Sequence, residues 1–164
     1  MNKRYKEWAD KSVAVAHAYW LLGMLWPEDI PEIACDALER GLDGEMICIA
    51  AGLNSPTVAE VCDAISMNKF WSELGCPEVS GSDVADWLAK HVCELVVSGK
   101  MSVQDAADEL WNVFAALAYP NSASWSDLAR LSDEYGWGED LSKSRKEKLD
   151  KRGLVMVRRI VGRP

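Results

Sequence analysis

Histidine, phenylalanine and proline are scarce in this chain of 164 residues, which contains two, two and six of them respectively. The sequence contains no H-E-x-x-H motif, no glycine-rich phosphate loop and no G-x-S-x-G elbow. His91 and Cys93 are two residues apart, so a helix directs them to different sides, which disfavours a Cys–His nucleophile pair. His17 lies among apolar residues and is predicted to be a core histidine. The sequence therefore predicts a protein that is not an enzyme and has no metal site or cofactor.

Disulfide motifs are also lacking. The five cysteines are odd in number and form no C-x-x-C pair, whereas secreted proteins usually pair their cysteines. We expect all of them to be free thiols in the reducing cytoplasm, packed as small hydrophobic side chains. They are Cys35, Cys48, Cys62, Cys76 and Cys93.

A long hydrophobic run is absent. The longest, from Val13 to Trp26, is interrupted by His17 and Gly23 and is shorter than the roughly 20 residues that a membrane span needs. Glu7 and Asp10 interrupt the pattern of a signal peptide. We therefore expect a cytoplasmic protein that has no contact with a membrane.

Helical periodicity and helix-end signals cover most of the chain, and no segment shows the alternation of a half-buried strand. The pattern predicts an all-α fold, a single compact domain over residues 1–164 with seven to eight helices around a buried N-terminal helix at about residues 3–25. Further helices are predicted to begin near Asp29, Gly44, Pro56, Ser80 or Ser82, Val103, Ser126 and Leu141.

Three local signals refine this prediction. Ser55 is expected to cap the helix that begins at Pro56, and this helix is expected to kink or break near residues 66–68 because its two apolar stripes do not align. Ser102 with Asp105 resembles a capping box. The last helix, in the basic C-terminal segment 141–164, is expected to have a weak point at Gly153.

Charge is unevenly distributed along the sequence. The net charge is −8, with +2 in residues 1–12, −17 in residues 13–140 and +7 in residues 141–164. One interpretation is that the acidic body keeps the protein soluble while the tail folds back on it. Another is that the acidic surface receives a basic protein partner, with long-range steering of the encounter. Nucleic-acid binding is not expected of so acidic a body.

Two acidic regions are predicted to bind the partner, the second of them with an aromatic anchor. Trp125 and Trp137 are both interpreted as interface candidates because each lies at a loop or helix edge near acidic residues. The first region is Glu28, Asp29, Glu32, Asp36, Asp43 and Glu45, and the second is Asp133, Glu134, Trp137, Glu139 and Asp140.

Two stretches carry a family resemblance. In Ile33–Leu53, a helix ending in Leu-Glu-x-Gly is followed by a short helix ending in Ala-Gly-Leu, and Val92–Phe114 has a helix ending in Ser-Gly and then an alanine-rich helix with a tryptophan. The chain thereby resembles small acidic helical bacterial proteins, which are similar to immunity proteins that neutralise interbacterial toxins. No binding residue is carried over, because these motifs are helix ends and core positions.

The resemblance and the acidic body together lead to one main functional expectation. This is a non-enzymatic immunity protein that binds a toxin or effector domain, such as a basic nuclease, and covers its active site. The alternatives are a helical adaptor or regulatory protein that uses the basic C-terminal tail, and an enzyme with an unrecognised helical site. A deep polar pocket holding His91 or a close carboxylate pair would favour the enzyme.

Overall fold

The regular structure of the chain is helical wherever it is described, which confirms the predicted fold class. The computed structural model describes residues 13–76, 78–120, 123–136 and 141–162. Within these ranges nine helices are present, slightly more than predicted. They are α1 Val13–Leu21, α2 Asp29–Glu39, α3 Glu45–Ala51, α4 Val58–Ala64, α5 Met67–Glu73, α6 Gly81–Val97, α7 Val103–Ala116, α8 Ser126–Tyr135 and α9 Lys143–Ile160.

The contacts among the helices divide the chain into two compact units. Unit 1 comprises residues 1–80 and contains α1 to α5, and unit 2 comprises residues 81–164 and contains α6 to α9. The organisation of the whole chain as one domain stays a prediction.

α1 is the described part of the predicted N-terminal helix, whose residues 3–12 lie outside the described ranges. Its apolar side chains are mostly buried, as expected for a core helix. The helix ends at Leu21, earlier than predicted, because Gly23 adopts a φ of 66° and turns the chain. Trp26, the last residue of the longest hydrophobic run, follows this turn and is 61% exposed. The buried residues of α1 are Val15, Ala16, His17, Ala18 and Tyr19.

The predicted helix over residues 56–74 is divided into α4 and α5. The extended backbone of Ile65 and Ser66 separates them, which confirms the predicted break. The cap, however, is Thr57 and not Ser55. Thr57 Oγ1 accepts a hydrogen bond from the amide of Glu60 at 3.3 Å, and the Glu60 carboxylate accepts one from the amide of Thr57 at 2.7 Å. Thr57 and Glu60 form this reciprocal capping box, which satisfies two helix-end donors where Ser55 and Pro56 offer no such pair.

Glu73 of α5 fixes the beginning of α3 in unit 1. Its carboxylate accepts hydrogen bonds from the amides of Met46 at 2.8 Å and Ile47 at 3.2 Å. These amides have no partner within the helix, and the helix dipole favours a negative charge beside them. A Cβ at Gly44 would lie 2.2 Å from the same carboxylate, so glycine leaves the space that Glu73 occupies.

In unit 2, α9 packs against α6, α7 and α8 through residues four apart: Leu149, Gly153 and Val157 are buried. The predicted weak point at Gly153 is wrong, because α9 runs through it without interruption. A Cβ there would lie 2.2 Å from Cγ1 of Val103 and 3.2 Å from Cδ1 of Leu131. Gly153 is therefore a close-packing position between helices.

Buried hydroxyl and indole groups in unit 2 donate to carboxylates. Trp125 is 1% exposed and its indole Nε1 donates to Asp86 at 2.8 Å. Its interpretation as an interface anchor is therefore wrong, because the core of unit 2 encloses the ring. The Tyr135 hydroxyl donates to Asp150 at 2.8 Å, and burial is the main reason that the pKa of Tyr135 is raised.

The cysteines are free thiols, but their expected burial is only partly correct. Cys93 is buried and Cys76 is half-buried, whereas Cys35, Cys48 and Cys62 are exposed. Apolar neighbours in sequence do not determine which side of a helix a residue occupies, because successive residues are rotated by about 100°.

Candidate protein-binding surface

The outer side of α2 combines acidic and apolar side chains. Ile30, Ile33, Ala34 and Ala37 form the buried side, which fixes the orientation of the helix. Residues on the opposite side therefore face solvent. Among these, Glu28, Cys35 and Glu39 are exposed, and Leu38 is 37% exposed.

α3 continues this surface, because α2 and α3 pack on each other more extensively than any other helix pair in unit 1. The turn between them is made at Gly41, with a φ of 84°, and by the amide of Leu42, which donates to the Ala37 carbonyl at 3.0 Å. We call the combined outer side the α2–α3 surface. It comprises Glu28, Glu32, Cys35, Leu38, Glu39, Leu42, Asp43, Glu45, Cys48 and Ile49.

The electrostatics of this surface follow from the composition of unit 1, which has six basic and 13 acidic residues. Only two of the basic residues, Arg40 and Lys69, lie in residues 13–80. Arg40 Nε donates to the Asp36 carbonyl at 3.0 Å, and Lys69 pairs with Glu45 and, at 4.0 Å, with Glu73. The hydrogen bond from Lys69 lowers the pKa of Glu45. The described side chains of this surface therefore carry a net negative charge at neutral pH.

Most of the first predicted region lies on this surface. Glu28, Asp43 and Glu45 are exposed, and Glu32 and Asp36 are half-buried. Asp29 is 0% exposed, so its carboxylate lies in the interior of unit 1. Its prediction as a surface contact needs correction, because the first turn of α2 directs it to the same side as the buried Ile33.

The second predicted region belongs to unit 2. Asp133 is exposed, whereas Glu134 is half-buried and forms an ion pair with Arg152 of α9. Trp137, Glu139 and Asp140 lie outside the described residues. Of the second region, then, the structure describes one exposed carboxylate and one that is paired.

Sequence reasoning missed the apolar part of the α2–α3 surface. Leu38 of α2 is 37% exposed and Ile49 of α3 is 40% exposed, and neither was among the predicted contact residues. Glu39 was not selected at all. A helical projection centred on Ile33 and Ala37 would have predicted the exposed side of α2, since it places Glu28, Cys35 and Glu39 together opposite the buried residues.

A cavity of about 450 Å³ lies within unit 1, where Trp20, Trp71, His17 and Cys76 contribute to its wall. The ring of His17 is 5.0 Å from that of Trp71, and burial lowers the pKa of His17. Burial also raises the pKa of Cys76 to about 11, so the thiol is protonated at neutral pH and is a poor nucleophile. The wall of the cavity combines aromatic rings with the polar side chains of Asn68, Ser72 and Glu78, and its Cys76 thiol is not activated.

The remaining chemical candidates are also accounted for by packing. His91 stacks on Trp87, with ring centroids 5.5 Å apart, while Cys93 is buried. Across the described ranges, three or more His, Cys, Asp or Glu side chains are nowhere grouped so that they could hold a metal ion. The described helices include none with the length and apolar character of a membrane span.

Comparisons with protein-family models, with curated proteins and with solved structures find no match for this chain. The class that the fold and surface define is an all-helical protein with an acidic surface that includes exposed apolar side chains.

Proposed function

We propose that this chain is a bacterial immunity protein, a non-enzymatic protein that binds a toxin or effector domain and covers its active site. The observation that carries the proposal is the α2–α3 surface, where Leu38, Leu42 and Ile49 are exposed among carboxylates. Protein interfaces combine apolar contacts with a polar rim, and single-sign charge selects a partner of the opposite sign. A basic domain, for example a nuclease with a cationic substrate groove, fits this chemistry.

The proposed mechanism is occlusion. The carboxylates attract the basic domain over a distance and raise the association rate, and the apolar side chains slow dissociation once water is excluded. A nuclease groove that binds phosphate would accept a carboxylate surface in its place and would then be closed to its substrate.

The first test is affinity capture from a lysate of the source organism, followed by identification of the partner and a growth assay. We expect a basic, toxin-like partner that remains bound at moderate salt, and we expect co-expression of this chain to restore growth of cells that express the partner. Capture of no such partner at low or moderate salt would refute the immunity function.

The contact surface is tested with paired variants. Glu39→Lys/Asp43→Lys reverses two charges on the α2–α3 surface, and Asp63→Lys/Glu78→Lys makes the same change elsewhere in unit 1. We expect the first variant to bind the partner about tenfold or more weakly and the second to bind normally. Equal binding by both variants would show that another surface is used.

The alternative function, an adaptor that uses the basic tail, cannot be tested by deleting that tail. Because Leu149, Gly153 and Val157 are buried in unit 2, deletion of residues 141–164 would remove part of its core. Substitutions on the outer side of α9 are the suitable replacement for that deletion.

A further inference from the structure

The outer side of α9 presents a row of cations that the proposed function does not use. Its inner side is fixed by the buried Leu149, Gly153 and Val157. The opposite side presents residues spaced by three and four along the helix, all of them exposed. We call this row the α9 stripe, and it consists of Lys148, Lys151, Val155, Arg158 and Arg159.

The cations of the α9 stripe are not neutralised within the described part of the chain. The ion pair that α9 forms there joins Arg152 to Glu134, and Asp150 accepts the hydrogen bond of Tyr135. The stripe extends over 12 residues, about 16 Å of helix, with the 59% exposed Val155 near its centre. An exposed apolar side chain among cations is suited to a partner surface on which exposed apolar side chains lie among carboxylates.

Two observations determine the kind of partner. The rest of unit 2, residues 81–140, has three basic and 11 acidic residues, so a phosphate backbone would meet repulsion beside the stripe. The α2–α3 surface has the complementary pattern, with carboxylates around Leu38, Leu42 and Ile49. Complementary charge fixes which surfaces meet and excludes like-charged ones.

We propose that the α9 stripe docks on the α2–α3 surface of a second copy of this chain, an inference that rests on the proposed role of that surface in binding. Two such contacts related by a twofold axis give a closed dimer, whereas repeated single contacts give a chain of copies. In either form, the α9 stripe of one copy covers the α2–α3 surface of its neighbour until a stronger basic partner displaces it.

Sedimentation analysis of the purified chain over a concentration series tests the proposal. We expect reversible self-association of the wild type. Lys148→Glu/Lys151→Glu and Glu39→Lys/Asp43→Lys should each weaken it by about tenfold or more, because each variant opposes like charges. An equal mixture of the two variants should associate again, since both contacts between unlike variants are complementary.

Matched controls separate this contact from an effect of net charge. Lys143→Glu/Lys146→Glu makes the same change on α9 outside the stripe, and Asp63→Lys/Glu78→Lys does so in unit 1 outside the α2–α3 surface. We expect both controls to associate like the wild type. Circular dichroism should show wild-type helicity for every variant that is scored.

A wild type that stays monomeric over the concentration series would overturn the inference, as would failure of the mixed variants to associate. Stripe-dependent binding to duplex DNA without self-association would also overturn it in favour of a polyanion. The outcome is separable from that of the proposed function. A chain that self-associates but captures no toxin-like partner contradicts immunity alone, and a monomeric chain that captures one contradicts self-association alone.

Discussion

Replacement of Gly153 by alanine sets two effects of opposite sign against each other. In a solvent-exposed helix the change would add about 1 kcal/mol of stability, because glycine has the greater conformational freedom when unfolded. Here the added Cβ would lie 2.2 Å from Cγ1 of Val103 and 3.2 Å from Cδ1 of Leu131. Insertion of a methyl group into a filled core costs about 1–3 kcal/mol.

The cost should be at the upper end of that range, because Val103 is a β-branched residue in a helix and rotates poorly about χ1. We therefore expect Gly153→Ala to lower the free energy of unfolding by about 1–2 kcal/mol. The assay is urea unfolding followed by far-ultraviolet circular dichroism. In a Val103→Ala background the contact with Cγ1 is absent and only that with Leu131 Cδ1 remains, so Gly153→Ala should cost less than in the wild-type background or become stabilising. An increase in stability from Gly153→Ala in the wild-type background would refute the reasoning.

Three further perturbations follow from contacts in the two units. Glu73→Ala removes the acceptor for the amides of Met46 and Ile47 and should lower the free energy of unfolding by about 1–2 kcal/mol, measured by urea unfolding. Trp125→Phe removes the donor to Asp86 and also leaves unfilled space in the core where the larger indole ring was buried, so it should cost about 2–3 kcal/mol in the same assay. Burial raises the pKa of Cys93 from 9.0 to about 12, so the folded state holds this proton more tightly than the unfolded state. Stability should therefore fall as the pH rises from 9.0 towards 12, and the fall should be smaller in Cys93→Ala.

Local signals were sufficient to predict most of the fold. The beginning of α2 at Asp29, the cap at Ser102 and the beginning of α8 at Ser126 agree with the structure, because each depends on residues within one or two turns. The role of Gly153 was not predicted because the residue that requires a glycine there, Val103, lies 50 residues earlier in the sequence. The cap at Thr57 was not predicted although the T-x-x-E pattern is local, because Ser55 followed by Pro56 is an equally common pattern at the beginning of a helix.

The candidate surface was predicted less completely. Charge along the sequence indicated Glu28, Asp43 and Glu45, which are exposed, but it did not separate them from the buried Asp29. Exposure depends on which side of α2 packs on α3, and that packing is a tertiary property. The exposed Leu38 illustrates the same limit of periodicity, since it lies at the margin of the apolar stripe.

The exposed cysteines allow the α2–α3 surface to be probed by thiol alkylation in the unmodified chain. Cys35 and Cys48 lie on the α2–α3 surface, whereas Cys62 lies on α4 outside it. Anything that covers the surface should slow alkylation of the first two thiols and leave the third as an internal reference. The occupant of the surface, whether a toxin domain or a second copy, can thus be followed by mass spectrometry on the natural sequence, without a label or a substitution.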